Sequence, residues 1–152
     1  MKLMLDTSVL LEVCAPGRYE ETKEWFRRIL LATSPPELLV SVLTDFELRR
    51  AFQRRGAVRS LEHLEEVSQS LRLVPLSAAA TRRAASLCST SEPIPDVDAL
   101  VAAQAVLEGA VLVTDDEGLR AVQGLDARAW QDVEPVRAIG IVPGGASVPE
   151  SS

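Results

Sequence analysis

Short apolar runs of strand length alternate along this chain with longer stretches in which apolar residues return every three or four positions. Lys2 to Leu5, Leu38 to Ser41, Leu71 to Val74, Ala110 to Val113 and Ala127 to Trp130 are the strand candidates, the last being the least patterned. Between them, Glu20 to Leu31 puts Trp25, Phe26, Ile29 and Leu30 on one side of a helix. Ser60 to Ser70 sets Leu61, Leu64 and Val67 at the same period with charges opposite. Ser77 can cap an alanine-rich helix running to Leu87, whereas Val97 to Leu107 is mostly apolar, as a helix buried on most sides would be, and stops at Gly109. Strands alternating with helices in this way predict an α/β fold around a parallel sheet of four or five strands. From Pro143 the chain reads PGGASVPESS, too polar to bury, so residues 1–135 are expected to fold and 136–152 to form a disordered tail.

Composition narrows the chemistry. With 152 residues and 47% hydrophobic content, one core is expected. The apolar start is broken at Asp6 and no run is long enough to span a bilayer, so a cytoplasmic protein without a membrane partner is expected. Cys14 and Cys88 lack CxxC spacing and are expected to be buried, reduced thiols. His63 is the only histidine, which removes His-paired catalysis and leaves carboxylates to carry any reaction. A net charge of −6 argues against a general affinity for phosphate, but arginines gather at Arg49, Arg50, Arg54, Arg55 and Arg59. That stretch is either a solvated helix face or a stripe that tracks phosphate.

Acids fall where such folds bind ligands, beyond the carboxyl ends of parallel strands. Asp6 ends the first strand in LMLDTSVLL, and Glu47 lies one turn into the helix after the second in VSVLTDFEL. Asp98 opens the apolar helix in IPDVDALVAAQA, and Asp116 follows the fourth strand in VLVTDDEGL. Two unit charges ~4 Å apart repel by about 4 kcal/mol at an effective dielectric of 20, a cost that a divalent cation removes. Oxygen-only ligation favours Mg²⁺ or Mn²⁺ over Zn²⁺. Each position also has a structural explanation: Thr44 with Glu47 and Thr114 with Glu117 fit capping boxes, and Asp6 and Asp96 could cap the helices they precede. Capping explains an acid at one helix start but not acids after nearly every strand at one end of the sheet.

Over about residues 1 to 135 the chain resembles a PIN domain of the bacterial VapC toxin type. The likeness rests on LDTSVLLE, on SVLTDFELRRAF with Ser41 and Glu47, on DALVAAQA with Asp98, and on Thr114 and Asp116. It implies a three-layer α/β/α fold and homodimerisation. It also implies endonucleolytic cutting of single-stranded or looped RNA, and a cognate antitoxin protein. Asp6, Glu47, Asp98 and Asp116 would be catalytic, with Asp6, Asp98 and Asp116 on the metal and Thr7 and Thr114 orienting them. Arg49, Arg50, Arg54 and Arg55 would contact RNA. Asp96 competes with Asp98, and Asp115 with Asp116. Trp25, Phe26 and Phe52 are candidates for an apolar groove that receives the antitoxin, or else for the core. A haloacid-dehalogenase-like phosphatase would need a second Asp where Ser8 stands, and a receiver domain would need a late lysine, whereas the only lysines are Lys2 and Lys23. The remaining alternative is a catalytically silent PIN-like module that binds RNA or protein.

Overall fold

The computed structural model describes residues 1–90 and 92–135; the expected tail lies outside the described residues. The elements run β1 (Lys2–Leu5), α1 (Thr7–Cys14), α2 (Glu20–Leu30), β2 (Glu37–Ser41), α3 (Val42–Arg55), α4 (Val58–Ser68), β3 (Arg72–Val74), α5 (Ala78–Cys88), α6 (Asp96–Glu108), β4 (Val111–Val113), α7 (Glu117–Arg120) and β5 (Ala127–Arg128), followed by a 3₁₀ turn at Trp130–Asp132. The strands form one parallel sheet in the order β3-β2-β1-β4-β5.

Alternation along each strand builds two cores, one on each face. Leu3, Leu5, Leu38, Val40, Val111 and Val113 face α1 to α4, and Met4, Leu39 and Leu112 face α6. The result is a three-layer α/β/α sandwich. Alanines line both buried sides of α6: Ala102 and Ala105 pack on the sheet, and Ala99 and Ala103 pack against Ala84 of α5. Its C-terminus closes at Gly109, whose φ of 65° is left-handed and suits glycine.

Trp25, Phe26 and Phe52 are 1%, 7% and 3% exposed, so they are core and wall no groove. The fifth strand is two residues long and does not reach Trp130. There the chain turns so that Trp130 lies 6.0 Å from Trp25, centroid to centroid, while the Trp25 indole donates to the Val133 carbonyl at 2.9 Å. Cys14 is buried as expected, but Cys88 is only half-buried; both are free. His63 meets the Cys14 carbonyl through Nδ1 at 3.1 Å, tying α4 to the end of α1. At the amino ends of the strands, charges are paired. Arg72 bridges Glu37 (2.6 Å) and Glu108 (2.8 Å), and Lys2 lies 3.7 Å from Glu108. No described helix is long and apolar enough to cross a membrane.

Candidate active site

Parallel pairing puts every carboxyl end at the same edge, and the strand order reverses across β1, the central strand. The chain builds outward from β1 to β2 and β3, then returns to β4 on the other side. That switch point is where open α/β sheets leave a crevice. Registers Met4↔Leu112 and Leu5↔Val113 bring Asp6 level with Thr114. The Asp6 amide donates to the Val113 carbonyl at 3.0 Å.

Asp6 is buried, and its side chain does not cap α1 even though it occupies the N-cap position. Its Oδ2 instead accepts from the Thr114 hydroxyl at 2.7 Å and from the Ser8 hydroxyl at 3.4 Å. Burial pushes its pKa up, the Thr114 hydrogen bond pulls it back, and Asp116 adds to the rise. Thr114 is fully buried and accepts in turn from the Asp116 amide at 3.1 Å. One hydroxyl therefore sets the position of two acids. The capping box expected of Thr114 does not form; Asp116 caps α7, accepting from the Leu119 amide at 3.0 Å.

Thr44 does not cap either. Helix α3 starts earlier, at Val42, with Ser41 as N-cap accepting from the Leu43 amide at 3.1 Å, and the buried Thr44 hydroxyl finds no partner among the described residues. Glu47 is half-buried one turn further on. Burial raises its pKa, Asp6 raises it further, and Arg50 opposes both. Asp98, in the first turn of α6, is likewise raised by burial and then by Asp6, Asp116 and Glu47 in that order. The structure thus brings Asp6, Glu47, Asp98 and Asp116 into one electrostatic cluster. Asp96 points away, with the Cys88 thiol 3.8 Å from its Oδ1, and Asp115 is exposed with its amide on Ser8. Thr7 bears on Asp6 through its backbone, which helps hold the Asp6 pKa down, while the hydroxyl that reaches this carboxylate beside that of Thr114 belongs to Ser8.

Two residues that hold the site together were given no role by the sequence. Gln104 is 2% exposed, accepts from the Ser41 hydroxyl and donates to the Val74 and Pro75 carbonyls at 3.2 and 3.3 Å. It fastens the start of α3, and so Glu47, to α6, and so Asp98. The signal was there, a lone amide in the apolar run LVAAQAVLE, since a buried amide must be satisfied. Ser8 could have been found from its spacing of two after Asp6.

A cleft of about 600 Å³ opens beside Asp98 and Asp116, lined in part by Leu87, Ile94, Leu119 and Val122. The arginines separate into two kinds. Arg49 holds Asp45 at 2.9 Å and also pairs with Glu65, whereas Arg50, Arg54 and Arg55 are exposed with no ion pair among the described residues.

A PIN domain model matches residues 3–125. The chain belongs to the PIN domain family. No curated protein matches it by sequence. Among solved structures, this PIN domain is similar to VapBC2 from Rickettsia felis bound to a promoter DNA fragment, with a TM-score of 0.70 and 23% identity over 86% of this chain and 99% of that one. It is similar to FitAcB from Neisseria gonorrhoeae, with a TM-score of 0.68 and 19% identity over 86% and 99%. A third is VapC20 from Mycobacterium tuberculosis, a sarcin-ricin loop cleaving toxin, with a TM-score of 0.65 and 20% identity over 83% and 98%.

PIN domains generally use divalent metal ions. The donor set here fits one: oxygen ligands only, with carboxylates whose own repulsion resists ionisation. Among the described residues no group of three acidic, histidine or cysteine side chains forms a ready-made cage. Mg²⁺ keeps several waters when bound, so a looser ring of carboxylates suits it better than a closed one.

Proposed function

We propose that this PIN domain is a metal-dependent endoribonuclease that hydrolyses RNA phosphodiester bonds and is the toxin of a toxin-antitoxin pair. The observation that carries the reading is the convergence on Asp98 of charge from Asp6, Asp116 and Glu47, acids from separate elements at one sheet edge. Asp6, Asp98 and Asp116 would hold Mg²⁺ or Mn²⁺, with Glu47 completing the ring directly or through water. When bound, the ion supplies a water acidified toward neutrality and positive charge against the phosphate. Thr114 and Ser8 aim Asp6 and oppose the rise in its pKa, and Thr114 fixes the Asp116 backbone. Glu47, with its raised proton affinity, is suited to take a proton from the attacking water. Arg50, Arg54 and Arg55 would steady the RNA backbone.

The likeness to VapC20, a toxin that cleaves the sarcin-ricin loop, supports RNA as substrate. The likeness to VapBC2 supports a partner antitoxin, and a homodimer is part of the same proposal. The test is incubation with total cellular RNA with and without Mn²⁺, followed by mapping of new ends. New ends are expected only with metal and only from protein retaining Asp98. An RNA pool left intact in every metal buffer would sink the proposal and leave a silent binding module.

A further inference from the structure

Helix α3 carries two phenylalanines with opposite fates. Phe52 is 3% exposed in the core, while Phe46 is 58% exposed, immediately before Glu47. A solvated phenylalanine gains nothing from burial; its neighbours one turn away along α3 are Val42 and Leu43 before it and Arg49 and Arg50 after it. Arg50 stands at i+4 from Phe46 and i+3 from Glu47, so the three share one surface of the helix. Its guanidinium lies over the Phe46 ring, 5.2 Å from the centroid, and its positive charge also reaches the Glu47 carboxylate. Arg54 continues the same row one turn on and is exposed. The cleft beside Asp98 and Asp116 is lined by the start of α6 and the segment after β4, whereas Phe46 stands on α3, which follows β2. Glu47, next to Phe46, shares the electrostatic cluster with those acids.

Resting on the reading that the substrate is RNA, we propose that Phe46 and Arg50 form a stacking platform for one unpaired base of the substrate strand next to the scissile phosphate. An aromatic face takes any base, and a guanidinium beside it both stacks and neutralises the adjoining phosphate. This chemistry demands a base free of its helix, so the platform selects single-stranded or looped substrate over duplex. Phe46 touches neither metal nor phosphate and acts as a binding residue.

The test uses the full chain carrying Asp98→Asn, which binds without cutting, and a short single-stranded oligouridylate containing one 2-aminopurine. Adding Phe46→Ala should weaken binding about tenfold or more and abolish quenching of the 2-aminopurine, while Phe46→Trp should retain both. Arg50→Gln should fall between. In an otherwise wild-type chain, Phe46→Ala should raise KM far more than it lowers kcat, and an abasic site in place of the stacked base should erase the difference. Because Phe46 is exposed, thermal melts should be unchanged. Equal affinity and equal quenching with Phe46→Ala would overturn the platform. So would a loss of affinity that accompanies dissociation of a dimer in sedimentation, which would assign the ring to a second copy of the chain. A wild-type chain that quenches the probe through Phe46 but cuts no RNA would support the platform and overturn only the hydrolysis. One that fails to bind the probe would overturn both.

Discussion

The Ser41 hydroxyl donates to Oε1 of Gln104, joining the residue that starts α3 to the middle of α6 in the interior of the protein. The same amide holds the ends of β3 through Val74 and Pro75. Gln104→Ala leaves one buried hydroxyl and two carbonyls short of a partner and opens a cavity. We expect a loss of about 2–4 kcal/mol in urea unfolding. Cleavage should fall as well, since Glu47 and Asp98 lose their common fastening. A variant as stable as wild type would show that water replaces the amide.

Asp98 carries a pH dependence whose sign follows from its raised pKa. Without metal, the folded protein holds its proton to a higher pH than the unfolded chain does. Stability therefore falls as pH rises from the ordinary carboxylate range through the folded pKa, and stays reduced above it. Asp98→Asn should be the more stable protein at neutral pH by roughly 1 kcal/mol, with the gap closing on acidification. Metal-free melts across pH measure this. The same variant, and Asp6→Asn, should abolish cleavage in Mg²⁺ or Mn²⁺; either one cutting at the wild-type rate would mean the acids are misassigned.

Thr114→Val tests the hydroxyl that serves two acids. Asp6 loses its shortest hydrogen bond and the Asp116 amide loses its acceptor. Calorimetric titration with Mn²⁺ should show affinity lower by about 10–100-fold, the usual effect of removing a group that orients a ligand. Thr7→Val, by contrast, should leave Mn²⁺ affinity unchanged.

Much of this was legible from the chain. Short apolar runs located the five strands, and period-3.6 patterning, a capping serine and an apolar run ending at glycine located α2, α4, α5 and α6, to within a few residues. The acids stood out because strand ends are easily placed. What escaped was whatever depends on the exact first residue of a helix. A start at Val42 rather than Thr44 turned an expected cap into a buried hydroxyl and made Ser41 the cap. Side-chain pairing across the fold was equally hidden: nothing local says that Arg49 meets Glu65, that Gln104 meets Ser41, or that Phe46 stays outside while Phe52 goes in.

The division among the arginines gives a paired experiment. Arg54→Glu with Arg55→Glu should weaken RNA binding and flatten its salt dependence by roughly 0.7 in slope for each phosphate no longer neutralised. Arg49→Gln should leave that slope alone and cost less than about 1 kcal/mol of stability, as expected for a partly exposed ion pair. If Arg49→Gln flattened the slope and the double variant did not, the two groups would have to be exchanged.

A carboxylate cluster also attracts guanidinium, which can take two oxygens at once and fill the space of a metal and a phosphate. We expect a cognate antitoxin to inhibit by inserting an arginine there. Raised Mn²⁺ should then partly relieve inhibition, and changing that arginine to alanine should restore cutting. A tightly bound partner that leaves Mn²⁺ affinity untouched would point to occlusion of the RNA path instead. With Trp25, Phe26 and Phe52 in the core, the rest of that partner must find another surface.

The paired charges at the amino ends of the strands give this sheet opposite responses to acid at its two ends. Arg72 holds Glu108 ionised to lower pH than usual, while burial and crowding make Asp6, Glu47 and Asp98 take up protons early. Mild acidification therefore neutralises the carboxylate end first and leaves the Arg72 cluster charged. If these carboxylates hold a cation as proposed, acid would release it before the Arg72 cluster loses its charge.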